Sequence, residues 1–213
     1  MAGIGVRLNK IFGKNTLTTN MIGFFYSTLV TVAPMFAIII NLVLMEYFLK
    51  FSTLGYAQRE LFSCTILYTF IFSLLTASPF NAVLSRYISD VIYEERYQDI
   101  LPCYHIGMVL NIALSCLVGI PFCLWEHFIG GVSVAYVFAG FWCYSSLVLV
   151  FYSMIYLSIC KDYQRIAQYY GIGMLVAFFL SLFFRYILHW GITQSMLAAM
   201  DAGFFLTAVL ENA

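Results

Sequence analysis

Residues 67–102, LYTFIFSLLTASPFNAVLSRYISDVIYEERYQDILP, decide the fold of this chain. The segment is almost wholly apolar from Leu67 to Phe80 and becomes charged and tyrosine-rich from Arg86 onward, with no helix break between the two parts. An apolar helix that runs directly into charge is a membrane helix leaving the bilayer.

Composition extends this conclusion to the whole chain. Of its 213 residues 63% are hydrophobic and 9% charged, and the mean hydropathy is +0.92. A soluble domain of this length needs far more polar surface to cover its core. The chain is therefore an integral membrane protein.

Crossing ~30 Å of hydrocarbon takes about 20 helical residues. Six stretches are long enough: 21–49, 61–88, 103–125, 132–159, 167–188 and 191–211. They lack the period-2 alternation of a barrel with a polar lumen. Helices then remain as the structure that satisfies the backbone in lipid. The expected fold is all-α and polytopic, a six-helix transmembrane bundle over 21–213 preceded by a basic amphipathic segment at 1–20.

Lys and Arg set the expected orientation. Arg7, Lys10 and Lys14 precede the first span, Arg86 and Arg96 flank the second loop, and Lys161 and Arg165 lie in the fourth. The other side collects Lys50, Arg59 and Arg185. The positive-inside rule places the N-terminus in the cytoplasm. Ile4, Leu8, Ile11 and Phe12 share one helical face, so the opening segment is expected to lie along the inner membrane surface rather than to be a cleaved signal. The chain ends at Glu211-Asn212-Ala213 directly after the apolar run GFFLTAVL, without a basic flank. The expectation is one half of a longer transporter.

The six cysteines, Cys64, Cys103, Cys116, Cys123, Cys143 and Cys160, show no paired C-x-x-C spacing and lie in or at the ends of spans. There a thiol behaves as a small hydrophobe. His105, His127 and His189 form no metal-binding motif, and no phosphate loop, nucleophile elbow or paired catalytic carboxylates occur. No catalytic residue, cofactor, metal or nucleic-acid partner is expected. A conduit or carrier fits better than an enzyme.

Polar residues inside the spans then carry the argument. Ser27, Thr31, Pro34 and Asn41 share a face of the first span, and Thr69, Ser73 and Thr76 form a second stripe leading to Pro79. Proline removes a helix hydrogen bond and can bend the helix, freeing a carbonyl. Bent helices with polar faces suit a gated cavity. The plainer alternative is that Ser and Thr simply hydrogen-bond neighbouring helices.

Asp201 falls near mid-span, with Gln194 seven residues earlier on the same face. A carboxylate at that depth costs ~2.5–3.5 kcal/mol on insertion scales, so it must face protein or water. It is a candidate for proton or ion coupling. Arg86, Asp90 and Glu94 repeat every four residues as the second helix leaves the membrane, either as a solvated helix end or as a cytoplasmic gate. Glu46 and Arg185 are expected to act as interfacial anchors. The candidate path or gate residues are thus Pro34, Asn41, Pro79, Arg86, Asp90 and Asp201.

Two blocks carry a family resemblance. MAGIGVRLNK at the start, with Val6, Leu8 and Lys10, and PFNAVLSRYISDVIYEERYQDILP at 79–102, with Pro79, Phe80, Arg86, Tyr87, Asp90, Arg96, Tyr97 and Ile100, resemble the PelG family of bacterial Pel exopolysaccharide export. The resemblance implies a flippase-like exporter of two six-helix lobes, of which this chain would be the N-terminal one. It further implies an amino-sugar-rich exopolysaccharide substrate, a cytoplasmic glycosyltransferase, other Pel-type membrane components, and a C-terminal lobe or second chain to complete the path. A bacterial inner-membrane location follows from it. The alternative is a non-transporting scaffold that recruits a glycosyltransferase through the basic N-terminus and the loop from Tyr93 to Asp99. Aromatics, 19% of residues, are compatible with a sugar path and equally with a lipid-facing belt at Trp125 and Trp190.

Overall fold

The computed structural model describes residues 17–159 and 163–212. The N-terminal basic segment and Cys160 lie outside the described residues, and the side chains of Ser27 and Thr31 are likewise not described. The described residues form six α-helices and no strand: α1 (Leu17–Phe48), α2 (Tyr56–Tyr93), α3 (Ile100–Phe128), α4 (Val134–Ile159), α5 (Tyr163–Tyr186) and α6 (Ile192–Asn212). The expected all-α fold is observed, and α2 to α6 are each long and apolar enough to cross a membrane.

The helices extend past several of the hydrophobic stretches that announced them. Hydropathy marks only the part of a helix in the hydrocarbon core, whereas backbone hydrogen bonding continues through the headgroups. The clearest case is α2, whose 38 residues begin before Leu61 and end beyond Ile88. At 1.5 Å per residue it is about 57 Å long. Pro34, Pro79 and Pro121 all lie inside continuous helices.

The outer surface is apolar, unlike that of a soluble bundle, and the interior, though mainly apolar, also holds polar residues. Leu75, Val83, Leu117, Phe138, Leu175 and Phe179 are exposed, while Asn41, Thr69, Ser73, Thr76, Asn111, Ser146, Ser153 and Thr207 are buried. Lipid solvates the apolar outside; of the buried polar groups, Ser73 and Thr207 bond to carbonyls of their own helices, whereas Thr76 and Ser146 meet partners on other helices. Among the spans α6 is the most enclosed, packed between α5 and α4, and it buries Met196, Leu197, Met200 and Phe204. α4 in turn holds α2 and α3, and α1 lies against α5. Only one face of α3 is covered: its buried residues Tyr104, Asn111, Ser115 and Gly119 recur at helical spacing.

The α2–α3 connection is ordered by its own charges. Glu95 takes a left-handed φ of 57°, and the Arg96 amide returns to the Val91 carbonyl at 3.0 Å, closing the helix end. The Arg96 guanidinium pairs with Glu94 and, at 3.1 Å, with Asp99. The hydrogen bond and charge of Glu94 raise the Arg96 pKa above its ordinary value. No such pair joins Arg86 to Asp90.

Candidate functional site

Asp201 lies in the middle of α6 and is half-buried against α4. Its Oδ1 accepts a hydrogen bond from Ser146 Oγ at 2.9 Å. The fully buried Cys143 lies one helical turn from Ser146 on α4, and the buried Ser145 hydroxyl has no partner among the described residues. α4 and α6 therefore hold a carboxylate at mid-membrane with a single hydroxyl donor.

The other candidates are not gathered around it. Asn41 is buried on α1 and its Nδ2 points to Met174 Sδ of α5 at 3.5 Å, a weak acceptor. Pro34 is buried on the same helix, whereas Pro79, Arg86 and Asp90 are exposed on α2. Gln194 is exposed in the first turn of α6. Arg185 donates to the Trp190 carbonyl at 2.8 Å, which fixes it at the end of α5.

The Thr69–Ser73–Thr76 stripe turns toward α4. Thr76 Oγ1 and the Tyr144 hydroxyl are 2.7 Å apart, and Tyr136 Oη donates to Thr65 Oγ1 at 3.2 Å. Thr65, Tyr136 and Tyr144 line a cleft of about 320 Å³ between α2, α3 and α4. Its walls are largely aromatic, including Tyr68, Phe72, Phe122 and Phe141, with Glu126 as its charged residue. Tyr144→Phe is expected to lower stability by about 0.6 kcal/mol, the average for an interhelical hydrogen bond in a membrane. Unfolding in mixed micelles measures it, and a loss above ~2 kcal/mol would show a larger role than pairing with Thr76.

A second polar cluster lies at the end of the bundle where α3 begins and α4 and α6 end. Tyr104 Oη approaches Asn212 Oδ1 at 2.6 Å and Ser153 Oγ at 3.0 Å. It has one proton, and the shorter contact identifies Asn212 as its acceptor. Asn212 Nδ2 donates to Ala208 O at 2.7 Å and to Ser153 Oγ at 3.0 Å, while Tyr152 Oη donates to the Tyr104 carbonyl at 2.9 Å. Ser153, Tyr104 and Asn212 had escaped sequence analysis because a tyrosine at a span end is indistinguishable from an interfacial belt residue. Asn111 had also escaped it: fully buried on α3, neither atom of its amide has a partner among the described residues. Its position seven residues after Tyr104 on one α3 face was the available signal.

These features define a class, a multi-pass helical membrane protein with polar stations inside an apolar shell. Residues 1–213 match the PelG family, described as "Putative exopolysaccharide Exporter (EPS-E)". The chain belongs to that family, and its role is in exopolysaccharide export; the family is one of exporters rather than enzymes. A search of curated proteins and a search of solved structures each found no match.

Proposed function

We propose that this chain supplies the N-terminal helical lobe of an exporter that moves exopolysaccharide across the bacterial inner membrane by alternating access. The observation that carries the proposal is Asp201, held at mid-helix by Ser146 between two packed helices. A membrane protein retains an intramembrane carboxylate where it serves a substrate or ion path. In this scheme the chain crosses from a cytoplasmic N-terminus, and the end carrying Arg96 faces the cytoplasm.

The lobe rocks against a second lobe, supplied by further sequence or another chain. Pro34 and Pro79 provide bending points, Asn41 lines the path, and Arg86 and Asp90 act at the cytoplasmic gate. Asp201 couples movement to a proton or ion. A cytoplasmic glycosyltransferase delivers the glycan, together with other Pel-type membrane components.

Deleting the protein is expected to leave glycan inside the cell, and re-expression to restore secretion. Arg86→Gln is expected to cut secretion while leaving membrane abundance unchanged. Unimpaired secretion by that variant would remove Arg86 from the gate. The exposed loop around Glu94, braced by Arg96 and flanked by a Tyr93 that is 90% exposed, favours a second reading as a scaffold for the glycosyltransferase. A scaffold predicts that loop substitutions abolish enzyme recruitment while Asp201 and Asn41 substitutions leave secretion intact.

A further inference from the structure

Glu211 belongs to none of the candidate positions above. It is 7% exposed, and neither carboxylate oxygen has a hydrogen-bond partner among the described residues. It lines a cleft of about 530 Å³ between α3, α4 and α6, beside Tyr104, His105, Tyr156 and Asn212. An ionised carboxylate withdrawn from water without a hydrogen bond is destabilised by several kcal/mol. A bound proton or cation would remove that cost.

The surroundings decide which charge. Among the described residues no lysine or arginine lines the cleft. The Tyr104 proton is directed to Asn212 Oδ1, and the Asn212 amide to Ala208 O and Ser153. Tyr170 lies within electrostatic reach from α5. A hard metal cation takes about six oxygen ligands, and the oxygens of Tyr104, Ser153 and Asn212 are already engaged with one another. A proton requires no such shell.

We propose that Glu211 is a proton-exchanging carboxyl, loaded from the cleft between α3, α4 and α6. The proton it releases leaves through the same cleft. This assignment concerns the cleft alone and stands whether or not the chain exports glycan.

Dicyclohexylcarbodiimide adds to protonated carboxyls in apolar surroundings and tests the assignment on the full-length protein in its native membrane. Mass spectrometry of the peptide bearing Glu211 is expected to find an adduct at pH about 6 that falls about tenfold by pH about 9 as the carboxyl ionises. Replacing choline by sodium or potassium at fixed pH is expected to leave it unchanged, and Glu211→Gln to abolish it. Absence of the adduct at every pH, or an adduct insensitive to pH, would overturn the proposal. Protection by sodium or potassium would overturn it equally, since the site would then hold a metal cation.

Discussion

Replacing Gly203 by valine is expected to remove most of the folded protein from the membrane. Gly173 and Ala177 on α5, and Gly203 and Thr207 on α6, each follow four-residue spacing, which lets two helices approach closely over small side chains. A Cβ at Gly203 would sit 2.7 Å from the Ala177 Cβ and 2.7 Å from the Gly173 carbonyl oxygen. The obstacle is largely backbone, so the helices themselves must separate. A Cβ at Gly173 would meet the Thr207 hydroxyl and the Gly203 carbonyl in the same way. Overpacking typically costs ~1–3 kcal/mol and occasionally more. The upper end applies here because separation also loosens Met196, Met200 and Phe204, all fully buried on α6. Thermal unfolding in detergent measures the loss, with Gly171→Ala as the control, since a Cβ there meets nothing within 4 Å. Equal stability of the two variants would refute close α5–α6 packing.

Asp201→Asn is expected to abolish most export while leaving the protein folded. Asparagine keeps an oxygen to accept the Ser146 hydrogen bond but cannot carry the charge, so packing survives and coupling does not. A coupling free energy of ~1–3 kcal/mol corresponds to about 5- to 150-fold, and a loss of about tenfold in secreted glycan lies within that range. Membrane abundance, measured alongside, separates a transport defect from misfolding. Ser146→Ala should weaken export less, because it removes a hydrogen-bond donor and leaves the carboxylate. Wild-type secretion by Asp201→Asn would take Asp201 out of the transport mechanism and favour a scaffold.

The site was legible only in part, and the reason differs by residue. Asp201 was visible because a carboxylate in the middle of an apolar run is costly wherever the helix packs. Glu211 was not, because a carboxylate in the last turn of a span reads as an interfacial residue until the fold is known to bury it. The Thr69–Ser73–Thr76 stripe was visible from its helical spacing, yet its contact with Tyr144 depends on which helix faces it. The α5–α6 glycines were overlooked for a similar reason: their spacing becomes meaningful once the two helices are known to be neighbours.

The sequence by itself determined that this is an all-α membrane protein, and roughly where each of the six helices of the described residues lies. Transfer of side chains into hydrocarbon is local and nearly additive, so runs of apolar residues report it without reference to the rest of the chain. The two blocks at 1–10 and 79–102 likewise pointed to the PelG family, which the match over residues 1–213 bears out. Only the tertiary structure decided which faces meet: Ser146 with Asp201, Gly173 with Gly203, Tyr104 with Asn212, and Glu211 with no hydrogen-bond partner. In lipid every helix offers an apolar surface to any other. Close fit and hydrogen bonding between helices distant in sequence therefore select the neighbours, and hydropathy carries no record of that choice.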